Sequence, residues 1–154
     1  MEFKSGRNHF LASIISLFFF FSCSESGKEA PIVVLDAYLK QPLKGALSNA
    51  AYMTLRNSSD YKIKIKGLTC NNLLAEIHQT VIKDSGMMKM NKLNLLTMEP
   101  KSEITLEPGK EHIMLMGKSL SNKIEGINCD LIIEDIDSFP PFKRVPVFFE
   151  IRNK

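Results

Sequence analysis

The sequence lacks the signatures of several large protein classes. It has no glycine-rich phosphate loop and no Gly-x-Ser-x-Gly elbow, so the usual nucleotide-binding and hydrolase signatures are missing. A net charge of +3 with no run of basic residues argues against a nucleic-acid partner. Its most apolar stretch, residues 10–21, is shorter than the roughly 20 residues that a membrane-spanning helix needs. The 154 residues provide for one domain of ordinary size.

The N-terminal segment has the pattern of an export signal. Lys4 and Arg7 precede the apolar residues 10–21, which fit the core of a secretory signal peptide. A buried helix is the alternative, but four consecutive phenylalanines leave it no polar face. Residues 1–22 are therefore predicted to be a signal peptide, and the small or charged residues 23–30 a flexible tether. Residues 31–154 form the predicted domain.

Ser22-Cys23-Ser24 resembles the cleavage box of bacterial lipoproteins, in which the cysteine becomes the lipid-bearing N-terminus. Phe20 departs from that box, which usually has leucine at this position. The resemblance implies that lipid on Cys23 tethers the domain to a membrane, since each buried methylene contributes about 0.8 kcal/mol. An ordinary signal peptide and an uncleaved anchor remain the alternatives. With Cys23 lipidated, Cys70 and Cys129 are left; the oxidising envelope permits a disulfide, and the sequence leaves open whether they meet.

The rest of the chain is typical of short strands separated by turns, with no convincing helical period. Ile63 and Ile65 alternate with lysines, which predicts a half-buried strand with Tyr61 on the buried face. Asn57-Ser58-Ser59-Asp60 predicts a turn. Eight or so such strands favour an all-β, antiparallel β-sandwich. Strands are predicted at Ile32–Leu39, Ala50–Arg56, Tyr61–Lys66, Ala75–Ile82, Glu103–Leu106, His112–Met116, Asn128–Glu134 and Val145–Ile151.

Histidine and methionine are the residues that carry chemistry. Once His9 leaves with the signal peptide, His78 and His112 remain, and six of the eight methionines lie between Met87 and Met116. Strand alternation places His112, Met114 and Met116 on one face, and places His78 on the face opposite Ile77 and Val81. Met88 and Met90 likewise share a face. A single methionine is usually a core filler, but this combination predicts a metal site. The six methionines are Met87, Met88, Met90, Met98, Met114 and Met116.

Such donors select the metal. Thioether sulfur is soft and imidazole is borderline, a set that suits Cu(I) and disfavours Mg²⁺, Ca²⁺ and Mn²⁺. Zinc is expected to prefer thiolate or carboxylate beside histidine. Only the histidines must lose protons, so binding is expected to weaken in acid.

The spacing of these residues resembles the PCu(A)C family of periplasmic copper chaperones. Its signature is a histidine that is often followed by methionine, then ten residues, a methionine, twenty-one residues, and His-x-Met. Here His78 and Met90 are separated by residue 79 and the ten residues 80–89, and the twenty-one residues 91–111 lead to His112 and Met114. Gln79 departs from the family, many of whose members have methionine there. Flanking segments 51–57, 106–109 and 112–117 are similar too, and the resemblance covers roughly residues 32–151.

The resemblance implies a cupredoxin-like β-sandwich of Greek-key type that binds one Cu(I) near its surface. By position, its ligands are His78, Met90, His112 and Met114. The family's task implies delivery of copper to cytochrome c oxidase, to its copper-bearing subunit or through a thiol-based assembly factor. A four-coordinate Cu(I) has no open position for substrate, so no enzymatic activity is expected and a copper enzyme ranks last. A copper-sequestering resistance lipoprotein and a metal-free β-sandwich lipoprotein that binds other proteins are the other readings.

Overall fold

A computed structural model describes residues 1, 31–121, 125–134 and 141–153. From residue 31 on, the described residues form ten strands and one short 3-10 helix, Lys118–Ser121. The strands are β1 Ile32–Lys40, β2 Ser48–Asn57, β3 Ile63–Cys70, β4 Leu74–Ile82, β5 Met88–Leu93, β6 Leu96–Met98, β7 Glu103–Leu106, β8 Glu111–Met116, β9 Gly126–Glu134 and β10 Phe142–Arg152. The predicted all-β class is confirmed.

The strands form one hydrogen-bonded sheet that wraps around a common core. Its order is β5-β4-β8-β2-β1-β10-β9-β3-β6, and β7 pairs with β2 beside β8. Among the strands that the structure describes, all pairs are antiparallel except β1 with β10, which run parallel. The result is a nearly closed β-sandwich, and the single parallel pair is a departure from the wholly antiparallel sheet that the sequence predicts.

Strand alternation builds the core. In β9 every second side chain is buried, and β3 alternates with Ile63 and Ile65 inside and Lys64 outside. Such a period of two places all apolar side chains of a strand on one face of the sheet. The largest fully buried side chains are Phe149, Ile32, Leu39, Met53, Leu55, Ile65, Met98, Leu106, Ile113, Leu115, Leu120 and Leu131.

Cys70 and Cys129 form a disulfide, which answers the question that the sequence leaves open. The two residues are direct partners in the pairing of β3 with β9, and their Cα atoms are 4.2 Å apart. The bond closes a loop with a sequence separation of 59 residues. It therefore ties the middle of the chain to its C-terminal hairpin.

Two predictions about buried faces are wrong. Tyr61 is 58% exposed because β3 begins only at Ile63, after the turn. Val81 is 39% exposed because the end of β4 extends beyond the core towards the turn before β5. The predicted signal peptide, tether and lipidated Cys23 lie outside the described residues. Within the described part of the chain, no helix has the length and hydropathy to cross a bilayer.

Candidate metal site

Two histidines face each other across neighbouring strands. β4 and β8 are antiparallel, and their register pairs His78 directly with His112. Directly opposed residues of an antiparallel pair project to the same face of the sheet. The centroids of the two imidazole rings are 6.1 Å apart and the ring planes are inclined by 47°. The pair lies on the face opposite Ile113, whose side chain is buried in the core.

Two methionines flank the histidine pair on the same face. Met114 is opposite Glu76 in the β4–β8 register, so it is diagonal to His78 and two residues along from His112. Met90, on β5, is opposite Thr80, which places it diagonal to His78 on the other side. Diagonal neighbours are about 7–8 Å apart, within reach of a long side chain. The four predicted ligands thus lie on one face of three adjacent strands.

The distances suit a shared ion. A metal bonds an imidazole nitrogen at about 2.0–2.1 Å. Two rings that bind one ion therefore have centroids about 6.4 Å apart when the two nitrogens are on opposite sides of the ion, and about 5.2 Å apart at a tetrahedral angle. The observed separation of 6.1 Å lies between these values. A tetrahedral site would require the two rings to be closer by about 1 Å.

The turn between β7 and β8 orients His112. Nδ1 of His112 lies 3.0 Å from the backbone carbonyl of Lys110, to which it can donate. The same carbonyl accepts the backbone N–H of Thr80 from β4 at 3.1 Å. Gly109, at φ +84°, supplies the left-handed conformation that this turn requires. With its hydrogen on Nδ1, the neutral ring of His112 has its lone pair on Nε2, available to a metal.

Glu76 holds the other histidine. Its carboxylate accepts a hydrogen bond from Nε2 of His78 at 2.9 Å and another from Nζ of Lys92 at 2.6 Å. The Lys92 ammonium, with a smaller contribution from His78, holds the pKa of Glu76 below its ordinary value. Lys92 can reach the carboxylate because the β4–β5 register places it opposite His78.

Nδ1 of His78 is buried and has no hydrogen-bond partner in the described part of the chain. Leaving such a group unsatisfied costs about 1–3 kcal/mol. A metal ion at Nδ1 would satisfy it, so this atom fits the copper that the sequence predicts. The described residues contain no group of three or more histidine, cysteine and carboxylate side chains arranged for a metal. A site at this pair therefore needs another donor type, and the thioethers of Met90 and Met114 supply it.

Exposure differs strongly among the four residues. His112 is only 4% exposed, His78 and Met114 are half-buried, and Met90 is 57% exposed on the edge strand β5. The site therefore runs from a buried histidine to an exposed thioether.

The remaining methionines of the cluster lie in different environments. Met98 is buried in the core, which makes it a packing residue. Met88 shares the face of Met90 but is 71% exposed, and Met87 precedes β5 and is exposed. Met116 is half-buried opposite Leu74, farther along β8 from the histidines. We interpret Met87, Met88 and Met116 as a hydrophobic rim rather than as spare ligands.

Lys92 is the residue that sequence reasoning missed. Alternation within β4 places Glu76 beside His78, but nothing in the sequence states which strand is paired with β4. Only the β4–β5 register shows that Lys92 is opposite His78 and bonded to Glu76.

Comparison with known protein families gives one match. Residues 32–128 match the model of the LpqE-like lipoprotein family. No curated protein sequence matches the chain.

Several solved structures share the fold. The copper-bound PCuAC domain from PmoF2 has a TM-score of 0.63 and 19% identity, over 81% of this chain and 95% of that domain. The apo PCuAC domain from PmoF1 gives 0.64 and 19%, over 81% and 96%. Apo-DR1885 from Deinococcus radiodurans gives 0.53 and 24%, over 100% and 97%. These likenesses confirm that the chain has the fold of PCuAC domains, as the resemblance in the sequence implies.

Proposed function

The chain belongs to the LpqE-like family, and we propose that it is a copper chaperone that binds one Cu(I) through His78, Met90, His112 and Met114. The observation that carries the proposal is the register of β4, β5 and β8, which gathers these four side chains on one face. One of the solved domains with this fold is copper-bound, which supports copper as the cargo.

The donor set supports Cu(I) over other ions. Two neutral imidazoles and two neutral thioethers are soft or borderline ligands, and they leave a Cu(I) complex with a single positive charge. The carboxylate nearest to the site, Glu76, is already bonded to His78 and Lys92. The four proposed ligands include no carboxylate, and that of Glu76 already has two partners, so cations that prefer oxygen ligands, such as Mg²⁺ and Ca²⁺, are disfavoured.

Transfer proceeds by ligand exchange in this proposal. Met90 is the most exposed donor, so a thiol or thioether of the recipient would replace it first. Met114 and His78 follow, and the buried His112 releases the ion last. No bond of the protein is made or broken, and the ion keeps its oxidation state throughout.

The location and recipient of the proposed chaperone follow from the resemblances in the sequence. The export signal and the lipoprotein-like box around Cys23 support a location in the cell envelope with a lipid tether to a membrane. The family resemblance implies that the recipient is the copper centre of cytochrome c oxidase. Copper would reach it directly or through a thiol-based assembly factor. A sequestering lipoprotein with the same site is the alternative. Loss of oxidase assembly on deletion of the gene would support delivery, and intact assembly would support storage.

The test is a Cu(I) titration of residues 24–154, which include every strand that the structure describes, against a colorimetric Cu(I) chelator. One equivalent should be held against the chelator by the parent chain. His78→Ala and Met114→Ala should lose the equivalent or hold it at least about tenfold more weakly, because each removes one of four donors. Met87→Ala is the matched control, an exposed methionine outside the proposed ligand set.

A chain that does not compete with the chelator, or that binds equally well in both ligand variants, would overturn the proposal. The metal-free interaction lipoprotein would then be the better interpretation of the fold. Circular dichroism of each variant shows whether any loss comes from unfolding instead.

A further inference from the structure

We propose that Glu76 is the positioning residue of the site, fixing His78 in the tautomer that binds copper through Nδ1, whereas His112 binds through Nε2. The inference rests on the proposed function, because it names the atoms by which the two histidines hold the ion. It adds two residues, Glu76 and Lys92, that are not themselves ligands.

The hydrogen bond of Glu76 determines which nitrogen of His78 is free. An ionised carboxylate can only accept, so the Nε2 that lies 2.9 Å from Glu76 must carry a hydrogen. In the neutral ring this leaves the lone pair on Nδ1. That atom is the one that is buried without a hydrogen-bond partner in the described part of the chain. Histidine ligands commonly donate their second ring N–H to a carboxylate in this way.

The other histidine, His112, is held in the opposite tautomer. Nδ1 of His112 faces the backbone carbonyl of Lys110 at 3.0 Å, which requires the hydrogen on Nδ1. Its lone pair is then on Nε2. The two rings, directly opposed in the sheet, are thus held by different partners and offer different nitrogens.

Lys92 keeps the carboxylate in place. Its ammonium lies 2.6 Å from Oε1 of Glu76, while His78 is bonded to Oε2, so the two oxygens have separate partners. The Glu76 side chain is 18% exposed and that of Lys92 is 53% exposed, so the carboxylate is the more buried partner of this ion pair. Rotation of Glu76 away from His78 would break the contact with Lys92.

The experiment is long-range ¹H–¹⁵N correlation NMR of the histidine rings in residues 24–154, in mildly alkaline buffer, before and after one equivalent of Cu(I). Without copper, His78 should have its hydrogen on Nε2 and His112 on Nδ1. With copper, the large ¹⁵N shifts should fall on Nδ1 of His78 and on Nε2 of His112. The reference spectrum of His78→Gln assigns the signals.

Variants of Glu76 separate positioning from folding. Glu76→Leu should give a mixture of His78 tautomers and a Kd for Cu(I) about 10–100-fold higher, the usual effect of losing such a partner. Glu76→Gln combined with Lys92→Ala keeps an accepting oxygen and removes the ammonium that would compete for it, so it should restore the tautomer and most of the affinity. Glu111→Gln is the control. It removes the same charge next to His112 but on the opposite face, where Glu111 accepts from Gln79 at 2.8 Å.

Copper-dependent shifts at Nε2 of His78, or a Glu76→Leu variant with unchanged tautomer and affinity, would overturn the inference while leaving copper binding intact. Absence of Cu(I) binding by the parent chain would overturn both the proposed function and ligation through Nδ1. Metal-free spectra would still show whether Glu76 selects the tautomer, so the two failures are distinguishable.

Discussion

Replacing Asn57 should lower the stability of the domain more than replacing almost any other polar residue. Asn57 is completely buried at the end of β2, and its side chain makes four hydrogen bonds. Nδ2 donates to the carbonyls of Tyr61 and Glu99, each at 2.8 Å. Oδ1 accepts from the backbone N–H and the hydroxyl of Ser59, at 2.9 and 2.6 Å. The side chain thus joins the turn after β2 to the loop after β6.

Two substitutions measure this network. Asn57→Ala removes all four bonds at about 1 kcal/mol each, so the free energy of unfolding should fall by about 3–5 kcal/mol. Asn57→Asp keeps Oδ1 but replaces the donor with an oxygen that faces two carbonyls. The free energy of unfolding of this variant should fall by at least as much. Urea unfolding followed by circular dichroism gives both values. Asn128→Ala, at an exposed position of β9, should change stability by less than about 0.5 kcal/mol. A loss below 1 kcal/mol in Asn57→Asp would refute the reasoning.

Further substitutions test the frame of the site. Joint replacement of Cys70 and Cys129 by alanine removes a closed loop of 59 residues and should lower stability by about 4 kcal/mol on the chain-entropy model, measurable by urea unfolding. Phe149→Ala empties a fully buried position and should cost about 3–5 kcal/mol by the same assay, whereas an unchanged midpoint would contradict the described core. Gly109→Ala places a Cβ at φ +84° where no atom lies within 4 Å, so backbone strain alone should cost about 1–2 kcal/mol. Because this turn orients His112, Gly109→Ala should also weaken Cu(I) binding in the chelator titration, and full affinity would contradict that role.

Local pattern was enough to predict the faces of the strands that carry the site. The period of two in His112–Met116 separates its histidine and methionines from Ile113 and Leu115, and the structure has both isoleucine and leucine fully buried. Each strand needs only its own alternation for this, since one face packs against the core and the other does not. The placement of all four proposed ligands on one face follows once the strands are paired.

The pairing of the strands could not be predicted from the sequence. Nothing local states that β4 lies between β5 and β8, so the opposition of His78 to Lys92 and to His112 appears only in the folded sheet. The same holds for Cys70 and Cys129, which are far apart in sequence and adjacent across β3 and β9. Alternation also fails where a strand leaves the core, as at Val81, because the period continues after burial has ended.

X-ray absorption spectroscopy of the chain loaded with one equivalent of Cu(I) tests the central claim most directly. The account predicts two nitrogen neighbours at about 2.0 Å and two sulfur neighbours at about 2.3 Å from copper. Met114→Leu and Met90→Leu should each remove one sulfur and leave both nitrogens. A copper shell of nitrogen and oxygen alone, or a sulfur contribution that survives both substitutions unchanged, would contradict the assignment of this face as the copper site.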